Sequence, residues 1–270
     1  MQKSTYMPSP DRLSVLAATI LIAYASIRLI DLPPSEFEFQ LPGFFLSVEI
    51  SIATLITLLV AGLMAAGSDL LLRDHPLLKG KNTLEHWLLP ALTAWVIGVP
   101  LYRLPLSPQW LAGFAIGSAL LMLVLVAEYI SVDPEDQRYS LATAGLTAAS
   151  FALYLMLAIA MRSSGLRLFY ILPTLTFAAA VVSLRTLHLR LRGRWLFTET
   201  AALALVIAQL VAAFHYLPLS PIAFGLALLG PAYALTSLIA SLSEGASVRQ
   251  AILEPCLVLV AMWGSALLAR

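Results

Sequence analysis

Leu104-Pro105-Leu106-Ser107-Pro108 recurs as Leu217-Pro218-Leu219-Ser220-Pro221, an offset of 113 residues (104 against 217). The same offset, without a gap, sets His75-Pro-Leu-Leu-Lys79-Gly80-Lys81 against His188-Leu-Arg-Leu-Arg192-Gly193-Arg194. It also pairs Ala91-Leu92 with Ala204-Leu205, and Gly117 with Gly230. One short identity arises easily in a leucine-rich chain. Two separated motifs in one ungapped register point to an internal duplication. In the first motif two prolines fix φ and remove donors, and the serine can bond a neighbouring backbone group. That chemistry predicts a tight, rigid corner between two helices. In the second motif glycine permits positive φ, and the flanking cations suit a headgroup layer.

The motifs sit between long apolar runs. Nine of them approach the roughly 20 residues that a helix needs to cross a bilayer. They lie at about 12–30, 44–70, 87–102, 109–130, 140–161, 167–184, 197–214, 219–241 and 250–269. Length, alanine and leucine favour helix, and the runs lack the alternation of a barrel strand. The third run is short and carries Pro90 and Pro100, so eight spans with a re-entrant piece stays open beside nine. The first run is read as an uncleaved helix rather than a signal peptide.

Composition agrees. Of 270 residues, 60% are apolar and 11% charged, with 16 Lys+Arg against 15 Asp+Glu and a net charge of +1. An ordinary soluble domain is about 25% charged. A soluble globular enzyme, a disordered chain and a nucleic-acid binder with a basic face are therefore excluded. The expected fold is an all-α integral membrane protein of about nine transmembrane helices. Its lone Cys256 is expected to be a small buried apolar residue.

With nine spans, one side holds Lys3, Arg12, Arg73, Lys79, Lys81, Arg138, Arg185, Arg190, Arg192, Arg194 and Arg249. The other holds Arg28, Arg103, Arg162, Arg167 and Arg270. Eleven cations against five place the N-terminus inside and the C-terminus outside, in a cytoplasmic-type (inner) membrane. The domain reading is 1–43 for the first helix and its outer acidic-aromatic loop, 44–161 for one four-helix repeat, and 162–270 for the other. An even number of spans per unit makes the repeats parallel. This resembles the general design of transporters with parallel halves, a likeness of architecture alone.

An ionisable group inside a span is a functional candidate by default. Glu49, about one turn inside the second run, Asp69, Glu128, Glu199 and Glu254 are such groups, and Gln209 is the strong amide deep in the seventh run. They are the candidates for a substrate or ion pathway. Asp69, Glu85, His86, Glu128, Glu199, Glu244 and Glu254 all map to the inner half, which predicts a polar vestibule there. His75, Lys79, Lys81, His188, Arg192 and Arg194 are the candidates for headgroup or anion contact. Gly113 and Gly117 have the spacing of a helix-packing face.

The chain lacks His-Glu-x-x-His, Gly-x-Ser-x-Gly and a Walker A loop. No catalytic residue, cofactor or metal site is assigned, and an enzyme is the less favoured class. Expected partners are the lipid bilayer, anionic lipid headgroups and other membrane subunits, with no nucleic acid. The functional expectation is a transporter-like protein handling a small or lipidic substrate between the repeats. A non-catalytic subunit or scaffold of a membrane complex, or a lipid-modifying enzyme, stands as the alternative.

Overall fold

The computed structural model describes residues 8–26, 35–41, 44–50, 52–73, 75–78 and 83–269. Among them are α1 (Pro10–Ser26), α2 (Ile52–Leu72), α3 (Leu88–Arg103), α4 (Pro108–Ile130) and α5 (Tyr139–Ser163). Then follow α6 (Leu168–Arg190), α7 (Phe197–His215), α8 (Pro221–Ser243) and α9 (Val248–Leu268). A hairpin of β1 (Ser35–Leu41) and β2 (Phe44–Ile50) precedes α2. Eight helical segments are long and apolar enough to cross a membrane: α2, α4 to α9, and Leu84–Leu101, which runs from a 3-10 turn into α3. The 17 described residues of α1 reach about 26 Å at 1.5 Å per residue. The protein is an all-α integral membrane protein carrying one β-hairpin.

The hairpin corrects the expected second run. Helix was expected from residue 44, but 44–50 form β2 and α2 begins at Ile52. The reason is local. Glu36-Phe-Glu-Phe39 and Leu46-Ser-Val-Glu-Ile50 alternate polar and apolar residues, the period of a strand. Glu49 therefore sits on β2 in register with Glu36, not in a membrane helix.

The chain forms two compact units, Met1–Val132 and Asp133–Arg270. Their division lies between α4 and α5, one helix ahead of the 161/162 boundary read from the sequence. In the first unit α1 packs on α2 and α4, α2 on α3, and α3 on α4. Burying apolar surface releases no water inside lipid, so close contact and hydrogen bonds must hold these helices. Glycine supplies the contact. A Cβ on Gly67 would meet the Leu16 side chain, and one on Gly117 would stand 2.6 Å from Ile97 Cγ2. The hydrogen bonds come from the Tyr24 hydroxyl to the Ala94 carbonyl, and from Trp110 Nε1 to the Leu101 carbonyl at 3.1 Å.

In the second unit α5 packs on α6 and α8, α6 on α7 and α8, α7 on α8, and α9 chiefly on α8. The Thr236 hydroxyl donates to Ser183 Oγ at 2.9 Å, joining α8 to α6. Trp263 Nε1 donates to the Ala227 carbonyl at 3.1 Å, joining α9 to α8. With so much of its surface facing outward, α9 leaves Cys256 exposed rather than buried as expected.

The repeated Leu-Pro-Leu-Ser-Pro motif is a helix start. Ser107 caps α4, accepting from the Trp110 amide at 3.4 Å, with Pro108 as the first helical residue. Ser220 caps α8, accepting from the Ala223 amide at 3.1 Å, with Pro221 first. Serine supplies the missing acceptor, and proline has no amide to orphan.

Candidate functional site

At the end of the first unit where α2 stops, α3 begins and α4 stops, polar side chains converge. Asp69, in the last turn of α2, pairs at 2.8 Å with Arg73, the residue just past the helix. The chain then turns through short 3-10 segments at Pro76–Leu78 and Leu84–His86. The Thr83 hydroxyl donates to the Asp69 carboxylate, tying this connection back to α2. The second 3-10 turn is closed by the His86 amide on the Thr83 carbonyl at 2.9 Å. It delivers His86 inward, where the residue is buried.

Glu128, on the last turn of α4, meets it. His86 Nδ1 lies 2.7 Å from Glu128 Oε2, with side-chain exposures of 4% and 1%. On the other ring nitrogen, Nε2 lies 3.3 Å from Glu85 Oε1, and Glu85 is 29% exposed. One imidazole thus stands between a buried and a partly exposed carboxylate. Beside it the His75 and Tyr129 rings meet edge to face at 4.8 Å. The Ser131 hydroxyl donates to the Glu128 carbonyl at 2.9 Å and closes the end of α4. A charge this deep is costly unless a partner neutralises it, so the Glu128–His86 contact is a condition of the fold as well as a chemical feature.

Of the residues expected to form a vestibule, Asp69, Glu85, His86 and Glu128 gather here. The others lie in the second unit. Glu199 is exposed in the first turn of α7. Glu244 pairs with Arg190 at 2.9 Å, and Arg190 also donates to Ser237 at 3.4 Å and Ser241 at 3.1 Å. Glu254 is exposed on α9 and accepts from the Tyr233 hydroxyl at 2.8 Å. Gln209 is exposed on α7. The side chain of Glu49 lies outside the described residues, as do Lys79 and Lys81.

The α6–α7 connection has a different character. Arg192 holds a left-handed backbone at φ 49° and Gly193 at φ 91°, and the Gly193 amide returns to the His188 carbonyl at 2.9 Å. Arg192 and Arg194 are exposed. The buried His188 ring lies 4.2 Å from that of Trp195, which stacks on exposed Phe197 at 5.4 Å. Cations beside a tryptophan at the mouth of two spans suit a bilayer interface. Among the described residues no cluster of three His, Cys, Asp or Glu is arranged to hold a metal ion.

Sequence reading missed two polar fixtures. The Arg162 guanidinium donates to the carbonyls of His215 and Leu217, each at 2.9 Å, and lies 5.4 Å from the Phe224 ring centre. It clamps the second Leu-Pro-Leu-Ser-Pro corner. Arg185 is buried within α6 at 1% exposure. Neither contact has a local spacing rule that would have announced it.

No curated protein and no solved structure matches the chain. The model of a family described as a protein of unknown function, DUF5656, matches residues 32–269, nearly the whole length, and the chain belongs to that family.

Proposed function

We propose that this is a transporter-like membrane protein for a small or lipidic substrate, with its pathway at the Glu85–His86–Glu128 cluster. One observation carries the reading: an ionisable pair at 2.7 Å is buried at the end of a helix bundle. Such groups are expensive in a membrane protein, and their common use is a substrate or ion path. The supporting context is a proposed duplication. α1–α4 and α5–α8 share one packing order, first helix on second and fourth, with α9 added. Among the described residues, the first unit carries the buried His86–Glu128 pair. The same reading puts the protein in a cytoplasmic-type membrane with its N-terminus inside, and places anionic headgroups at Arg192 and Arg194.

The test is comparative. Membrane vesicles carrying wild-type chain and Glu128→Gln are loaded from a solute and lipid mixture, and their contents are compared. The proposal expects at least one compound to accumulate only with wild type. Identical contents remove Glu128 from any pathway.

A second reading has its own observation. Gln209 presents an amide outward from α7, where lipid offers no partner. That favours a subunit whose partner helix covers α7. Co-purification of a stoichiometric membrane polypeptide, lost on Gln209→Leu, would support it.

A further inference from the structure

We infer that Glu85, His86 and Glu128 form a proton relay that loads the buried Glu128 carboxylate from the partly exposed Glu85. The inference rests on the pathway reading above and names its coupling ion as the proton. The geometry motivates it. The imidazole has a carboxylate on each nitrogen, 2.7 Å at Nδ1 and 3.3 Å at Nε2. A neutral ring has one N–H, so it can donate to one carboxylate only. With one more proton in the trio, as an imidazolium or as a carboxylic acid, a proton lies between the ring and each of the two carboxylates.

The step balances without another reactant. Protonated Glu85 passes its proton to Nε2 while Nδ1 passes its own to Glu128 Oε2. The O–H bond of Glu85 and the Nδ1–H bond break, and an Nε2–H bond and a Glu128 O–H bond form. The ring ends neutral in its other tautomer, and one proton has moved from the exposed to the buried carboxylate. Reversal resets it; if Glu128 instead loses its proton elsewhere, the ring must return its proton from Nε2 to Nδ1 before the next transfer.

The direction follows from burial, since Glu85 is 29% exposed and Glu128 1%. The elements packed on α4 are α1, α2 and α3. Their described charged or titratable groups at this end are Asp11 and Arg12 on α1, and Asp69 on α2 with Arg73 just past it. His75 and Tyr129 stand beside the relay. Arg73 and Thr83 already engage Asp69, which leaves Glu85 as the carboxylate placed against the histidine.

The test uses the full chain in lipid nanodiscs, and the probe is the proton itself. A rapid drop from about pH 8 to about pH 5 brackets ordinary imidazole titration, and infrared spectroscopy follows carboxylic C=O bands in time. The relay predicts one band present in wild type and absent in Glu128→Gln. Glu85→Gln and His86→Gln should keep that band but slow its appearance at least about tenfold, and Glu85→Asp should restore speed. Glu85 is partly exposed, so Glu85→Gln remains informative even where His86→Gln fails to fold. A band that forms equally fast in Glu85→Gln, or no Glu128 band over this range, overturns the relay. Because the assay needs no solute, selective vesicle uptake beside an unslowed band overturns the relay alone and leaves the transporter reading standing.

Discussion

At Glu128 a single contact serves both stability and chemistry. His86 is its close partner at 2.7 Å, and both side chains are buried. Breaking one member of a buried charged pair costs about 3–5 kcal/mol, whereas replacing both by apolar groups is often near neutral. His86→Leu should therefore destabilise the chain strongly, and adding Glu128→Leu should recover much of the loss. A double-mutant cycle on unfolding in mixed micelles should give a coupling of at least about 1 kcal/mol. Additive effects would mean that the two residues do not depend on each other. The individual residues stood out in the sequence as polar groups near the ends of apolar runs. Their meeting was not, because Glu128 lies on α4 and His86 on the 3-10 turn before α3, and no spacing rule spans that separation. Glu49 shows the opposite failure: a carboxylate next to an apolar run looked like a membrane group until the alternation around it formed a strand.

Among the elements, the paired helix starts are the most directly testable. Ser107 and Ser220 each accept from the backbone three residues on, so alanine at either should cost about 1 kcal/mol. Ser220 also donates to the Ala269 carbonyl at 2.6 Å, joining the start of α8 to the end of α9. Ser220→Ala should thus lower the melting temperature more than Ser107→Ala. Equal losses would remove the α8–α9 tie from the account. Glycines separate in the same way. A Cβ on Gly117 would stand 2.6 Å from Ile97 Cγ2, while nothing lies within 4 Å of one on Gly145. Gly117→Ala should cost about 1–3 kcal/mol by overpacking. Gly145→Ala, in the middle of α5, should be neutral or stabilising by up to about 1 kcal/mol. Melting curves in one detergent would rank all four variants. The helix starts were readable because serine followed by proline has a local mechanism. The packing role of Gly117 was readable as a spacing, but its partner on α3 was not.

For the whole molecule, hydropathy and run length carried the class, since spanning a bilayer constrains length and polarity more than any side-chain detail. The division of the chain has two readings, the 161/162 boundary of the sequence and the 132/133 division of the compact units. The duplication register pairs α2, α3 and α4 with α6, α7 and α8 in either reading. Packing adds that α1 sits on α2 and α4 as α5 sits on α6 and α8. If that division reflects folding units, the segment α1–α4 should express and insert without the rest, whereas α6–α9, which lacks α5, should be degraded. Stable membrane insertion of both fragments to equal levels would favour the 161/162 boundary instead. The functional claim rests on the first unit, where the buried histidine and carboxylate give the bundle a polar end. The most direct test is native mass spectrometry of the protein extracted gently from its own membrane, with Glu128→Gln measured beside it. The account predicts a lone chain carrying a specific small molecule or lipid that Glu128→Gln loses. A stoichiometric second polypeptide, with no bound molecule and no difference between the two forms, would contradict it.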